Sequence, residues 1–153
     1  MAIFKDRNSK LSSLKEHSFV SEREMQTLVE KNLDELFGLR FVASEFAPRD
    51  DLRIDTLAFD TEQKSFVIIE YKKSSNWSVI DQGFSYLSLL LDRKDAFVLT
   101  LNNNYNKNFY LHDNNWSASR VIFLAPYFTV YQIGALGFQD VAFELYQLRK
   151  YSD

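Results

Sequence analysis

RIDTLAFDTEQKSFVIIEYKK, residues Arg53 to Lys73, holds two apolar runs on either side of the polar turn Asp60-Thr61-Glu62-Gln63-Lys64. Runs of this length, rich in Val, Ile, Phe and Leu and bounded by turn residues, read as strands over Arg53–Phe59 and Phe66–Lys72 joined in an antiparallel hairpin. With the turn centred between Glu62 and Gln63, paired positions sum to 125. Asp55 then lies opposite Glu70, and Arg53 opposite Lys72, with all four on one face. Directly opposed Cβ atoms stand roughly 4.5–5.5 Å apart, so two facing carboxylates destabilise the sheet unless positive charge lies beside them. A lone ionised group inside an apolar strand costs several kcal/mol. This placement therefore points to an ion cluster or a chemical site.

Upstream, Ser21 followed by Glu24 forms a capping-box pattern, with Val20 and Met25 as a hydrophobic staple and Gly38 as a stop. One helix is expected over about Glu22–Phe37, with Met25, Leu28, Val29, Asn32, Leu33 and Leu36 facing inward and Glu30 on its flank. Leu39–Phe46 suits another strand. Residues 1–20 read as a hairpin extension turning at Asn8-Ser9, and 21–153 as a single domain. Downstream, Ser78 and Asp81 cap an almost wholly apolar helix reaching about Asp92, in which Gln82 and Tyr86 share a face. Strands are expected at Ala96–Leu101, Arg120–Leu124 and Val141–Leu148, a polar loop at Asn102–Asn115 and a short helix at Thr129–Leu136. The expected order is α-β-β-β-α-β with further C-terminal strands.

Composition narrows the chemistry. A chain of 153 residues that is 46% hydrophobic supports one substantial core. It contains no cysteine and only two histidines, His17 and His112, which excludes disulfides and thiolate zinc and points any metal toward oxygen ligands. A net charge of -3 argues against wholesale electrostatic binding of nucleic acid. No apolar run reaches the roughly 18 residues of a membrane span, and the first residues lack a signal-peptide segment, so a cytoplasmic protein is expected.

Asp55 on one strand, Glu70-Tyr71-Lys72 on the next, Gln82-x-x-x-Tyr86 on the following helix and Glu30 on the first helix resemble the PD-(D/E)xK nuclease superfamily. The helix motif is similar to that of its RecB-like branch. Acid-x-Lys alone is common on exposed strands; the ordered set of four elements carries the resemblance. Ile54 stands where the superfamily's name has proline. The resemblance spans roughly Ser21–Leu101 and implies an α/β restriction-endonuclease-like core, a central mixed sheet flanked by helices.

It also implies a metal-dependent nuclease acting on nucleic acid, DNA before RNA, with a homodimer or partner protein to cut both strands. Phosphodiester hydrolysis needs charge neutralised on the phosphate, a nucleophile drawn from water and a stabilised leaving oxygen, tasks that Mg²⁺ or Mn²⁺ performs. Asp55 and Glu70 offer hard oxygen ligands, joined by the Tyr71 backbone carbonyl and by Glu30 directly or through water. Lys72 orients or deprotonates the attacking water, or stabilises charge developing on the phosphate. By resemblance, Gln82 and Tyr86 line the cleft. The alternative is a catalytically inactive module of the same fold that binds nucleic acid or a protein.

Overall fold

The computed structural model describes residues 1–137, 140 and 142–153. The hairpin read from Arg53–Lys73 forms its centre: β4 (Leu52–Asp60) and β5 (Ser65–Tyr71) pair antiparallel from Asp60↔Ser65 to Thr56↔Ile69, every pair summing to 125. The turn is pinned by Asp60 Oδ1, which accepts the backbone N–H groups of Glu62 and Gln63 at 3.0 Å each, and closes with Lys64 at φ 54°. β3 (Arg40–Arg49) adds antiparallel to β4, while β6 (Arg120–Ala125) and β7 (Phe143–Gln147) add parallel beyond β5, giving a mixed sheet in the order β3-β4-β5-β6-β7. The last expected strand thus begins at Phe143 among the described residues; Val141 lies outside them.

Every residue of β5 is buried, because both sheet faces are covered. On one face α1 (Glu22–Glu30) and α2 (Leu33–Phe37) lay Met25, Val29 and Leu33 on Ala58, Val67, Ile69 and Tyr71. On the other, α3 (Val79–Asp92) and α4 (Lys94–Tyr105) lay Tyr86, Leu89, Phe97 and Leu101 on Leu57, Phe59, Phe66 and Ile68. Gly83 of α3 allows this approach, since a Cβ there would meet the buried Phe143 ring at 2.5 Å. Gly83→Ala is accordingly expected to destabilise the fold by about 1–3 kcal/mol despite alanine's better helix propensity, read as a lower denaturation midpoint at unchanged m.

Three elements depart from expectation. The first helix is broken: Lys31 caps α1, and Asn32 leaves helical geometry at φ -131° while its side-chain amide donates to the Leu28 carbonyl at 2.8 Å. An Asn inside a helix competes for its backbone in this way. The break leaves Leu28 and Leu36 exposed rather than inward, although Gly38 stops α2 as expected, at φ 64°. The staple is also replaced: Val20 is exposed and its neighbour Phe19 is buried.

The strand expected at Ala96–Leu101 is instead the middle of α4. Phe97, Val98 and Leu101 are buried while Leu99 is exposed, a helical rather than alternating pattern. The polar loop expected after it begins only at Asn106, whose left-handed backbone at φ 50° ends the helix.

At the N-terminus, β1 (Ile3–Arg7) and β2 (Lys10–His17) turn at Asn8-Ser9, both at positive φ as a two-residue hairpin turn requires. β2 also pairs with β8 (Lys150–Ser152), so the two ends of the chain share a second, three-stranded sheet. The short helix expected near Thr129 is α5 (Val130–Ala135), closed by a Thr129/Gln132 capping box. No helix among the described residues is long and apolar enough to cross a membrane.

Candidate active site

The β4–β5 ladder ends at Thr56↔Ile69, one step short of Asp55 and Glu70, and there the backbone hands over to side chains. Asp55 Oδ2 accepts the Tyr71 backbone N–H at 3.2 Å, which holds the carboxylate against β5. β3 is distorted at the same level. Residues two apart on a strand normally share a face, yet Ser44 meets Gln26 of α1 while Phe46 packs on Phe97 of α4. Glu45 lies between them in the left-handed region at φ 55°, next to Asp55. Backbone strain of this kind costs about 1–3 kcal/mol and gathers at functional sites.

Glu70 is 8% exposed and points toward α3. Burial first, and then the charge of Asp55, pushes its carboxyl up to about 8, against the opposing pull of the Tyr86 hydroxyl and Lys72. Asp55 is also raised, mainly by burial, with Glu45 and Glu22 adding repulsion. The interaction between the two carboxyl groups favours the proton on Glu70 over Asp55. Lys72 completes the group, its Nζ 3.6 Å from Glu70 Oε1 and lying over the Trp77 ring at 5.6 Å. Glu70 Oε2 is buried with no hydrogen-bond partner, so the pair is left under-compensated.

Asp55, Glu70 and Lys72 therefore come together, as the hairpin register required, and Tyr86 of α3 joins them. The Tyr86 hydroxyl reaches Glu70 and donates to the Arg53 carbonyl at 3.4 Å; burial and the Glu70 charge raise its pKa. Gln82 is half-buried one turn earlier and has no side-chain hydrogen bond among the described residues. Arg53 does not join the face: its exposed guanidinium pairs with Glu45 Oε2 at 2.8 Å.

Glu30 lies across the sheet. Its Oε1 accepts from Thr56 Oγ1 at 2.7 Å and from Gln26 Nε2 at 3.0 Å, and Thr56 in turn meets the Tyr71 hydroxyl at 3.0 Å. Gln26 Nε2 also donates to the Asp55 carbonyl at 2.9 Å, which links Glu30 indirectly to the β4 segment that bears the site.

Sequence reasoning passed over Glu22, Gln26 and Glu45. Glu22 Oε1 accepts the Lys73 backbone N–H at 3.3 Å, and its charge reaches Asp55. Glu22, Gln26 and Glu30 recur every four residues along α1, a polar stripe whose members bond to β4 and to Lys73 just past the end of β5. Glu45 has no comparable signal, because its importance lies in a backbone conformation.

Among the described residues, no cluster of three or more His, Asp and Glu side chains converges as a metal cage. What the site offers a cation is two facing carboxylates, one with an unpartnered oxygen. That donor set suits Mg²⁺ or Mn²⁺, which keep several waters and take few protein ligands, better than Ca²⁺, which draws more of its oxygens from the protein.

No protein-family model matches the chain. An uncharacterized protein of Haemophilus influenzae is 43% identical over all 153 residues, and the chain spans about half (50%) of that relative's length. The apo structure of EndoMS matches over 98% of this chain and 66% of its own, at 16% identity and a TM-score of 0.54. A repair endonuclease from Pyrococcus abyssi matches over 88% of this chain and 49% of its own, at 20% identity and a TM-score of 0.48. At these identities the likeness is one of fold: the chain has the restriction-endonuclease-like α/β core, a mixed five-stranded sheet flanked by helices.

Proposed function

We propose that the chain is a metal-dependent nuclease domain that hydrolyses a phosphodiester at Asp55, Glu70 and Lys72. The observation that carries this reading is the buried, facing carboxylate pair whose Glu70 Oε2 lacks a partner. A protein gains nothing in stability from such a pair, because burial and the charge of Asp55 both raise the cost of ionising Glu70. It gains a site for a hard cation.

Asp55 and Glu70 would hold Mg²⁺ or Mn²⁺, with the Tyr71 carbonyl as a further oxygen. The N–H and C=O of one strand residue point the same way, so the Tyr71 N–H bonded to Asp55 supports that choice. When bound, the cation supplies charge neutralisation at the phosphate and a more acidic water. Lys72, steadied between Glu70 and Trp77, donates hydrogen bonds that orient the attacking water and offset charge on the non-bridging phosphate oxygens. In the displacement the water oxygen gives up a proton to solvent as it bonds to phosphorus, the P–O bond to the leaving sugar breaks, and that sugar oxygen takes up a proton from solvent. Tyr86 and Gln82 line the α3 side of the cleft. Glu30 acts through Gln26 as a positioning residue for β4.

DNA is proposed as substrate ahead of RNA on the resemblance to PD-(D/E)xK nucleases. A homodimer or a partner protein is proposed for cutting both strands, since one carboxylate pair serves one strand at a time; solution mass measures it. The reading is tested by incubating single- and double-stranded DNA and RNA with the protein in Mg²⁺, Mn²⁺ or chelator. Metal-dependent cleavage is expected, with Lys72→Ala slowing it about 10²-fold or more. Failure to cut any substrate sinks the proposal, and metal-free binding that tolerates Asp55→Asn selects the inactive binding module instead.

A further inference from the structure

At the far end of the sheet from the carboxylate pair, a cavity of about 230 Å³ is lined by Arg40, Lys64 and Lys107 above Phe59, Tyr105 and Phe109. Phe59 follows Asp55 by four positions on β4, which separates the two places by about 13 Å of strand. In a chain of net charge -3, three cations around one hollow are uncompensated: none pairs with a carboxylate among the described residues. Of the two acids in the adjoining turn, Asp60 is already committed, with Oδ1 on the turn N–H groups and Oδ2 on Arg120 at 3.2 Å, and Glu62 forms no ion pair with Arg40, Lys64 or Lys107 among the described residues.

The walls are fixed. The Asn102 side chain holds Phe109 from both sides, donating to its carbonyl at 2.9 Å and accepting its N–H at 3.0 Å. The left-handed Asn106 turns the chain so that the Lys107 N–H returns to the Asn102 carbonyl at 3.2 Å. Lys64, also left-handed, is anchored through its carbonyl by the Asn115 N–H at 2.8 Å. The Tyr105 hydroxyl donates to the Phe41 carbonyl, and the Arg40 guanidinium lies 5.7 Å from the centre of its ring.

From this juxtaposition we infer that the cavity is a nucleotide subsite distinct from the carboxylate pair, taking one base against the Tyr105 and Phe109 rings and its phosphate among Arg40, Lys64 and Lys107. Aromatic faces stack on any base, and cations around a groove hold its phosphate. The volume suits one base and excludes an oligonucleotide, so the phosphate and sugar sit at the cationic rim. The inference stands on this pocket alone and survives failure of the nuclease reading.

The test is calorimetric titration at low salt with deoxyadenosine 5′-monophosphate, deoxyadenosine, inorganic phosphate and a tetradeoxyadenylate. The nucleotide is expected to bind about tenfold or more tightly than the nucleoside or phosphate. Arg40→Gln combined with Lys107→Gln, both exposed positions, should weaken it about tenfold or more at an unchanged melting temperature, and flatten the salt slope of the tetranucleotide by up to about two. Phe109→Leu should reduce nucleotide affinity toward that of phosphate, whereas Asp55→Asn should leave it unchanged. Tighter binding of the tetranucleotide identifies the ligand as a unit of a strand, and tighter binding of the mononucleotide as a free nucleotide; either supports the pocket. Nucleotide binding no tighter than phosphate, indifference to the double substitution, or loss in Asp55→Asn overturns it.

Discussion

Glu70→Gln is expected to reduce metal-dependent cleavage by about 10²–10³-fold or more while making the metal-free protein more stable above pH 8. The two effects share one cause. The amide is nearly the same size as the carboxyl and carries no charge, so the repulsion and the burial penalty that push Glu70 up to about 8 disappear. It also removes the anionic oxygen that draws a cation. A residue that served stability would show the opposite sign, losing both activity and denaturation midpoint. Cleavage rates and urea denaturation of the same preparations measure both effects, and a destabilised Glu70→Gln protein would remove the physical basis of the site.

The second large effect is the pH dependence of the metal-free fold. Glu70 has an ordinary value of 4.5 when unfolded and about 8 when folded, so between those values the folded state holds a proton that the unfolded state has lost. Stability from this group is complete below about pH 4.5 and is lost as pH rises through about 8. Integrated over that window, the loss is on the order of several kcal/mol, and Asp55, also raised, adds to it with the same sign. Such a decline is the reverse of the common behaviour of paired carboxylates, which strengthen a fold as they ionise. Thermal or urea denaturation in chelator from pH 5 to 9 should show the midpoint falling, and Glu70→Gln should flatten the curve. Added Mn²⁺ should restore the midpoint most at the alkaline end, where the ionised pair binds without displacing a proton.

The site's central geometry was legible because the turn between β4 and β5 is short and symmetric. A loop of four residues, Thr61–Lys64, admits one register that puts both apolar runs into the core, and that register sets Asp55 beside Glu70. Elements determined by tertiary contacts were less accessible. The run Ala96–Leu101 is too short for periodicity to separate helix from strand, and packing of Phe97 on Phe46 and Phe66 decides for helix. Asn32 had the spacing of an inward residue but broke the helix through its own amide. Lys150–Ser152 carries no strand signal of its own and is recruited by β2.

At the site, Glu30 had the right sequence position, yet which sheet face a flank residue meets depends on how α1 crosses the sheet. Its carboxylate ended on Thr56 and Gln26, while Glu22, at the start of the same helix, accepts from the Lys73 backbone and adds its charge at Asp55. The left-handed Glu45 was invisible for a related reason: a glutamate adopts that backbone only when its surroundings impose it.

Asp55 and Glu70 are proposed to form a cation site rather than a structural pair. Mn²⁺ titration by calorimetry near pH 7, repeated in buffers of different ionisation enthalpy, tests it most directly. About one Mn²⁺ should bind per chain, with release of the Glu70 proton on uptake and loss of binding in Asp55→Asn. Absence of Mn²⁺ binding, or binding that persists undiminished in Asp55→Asn, would contradict it.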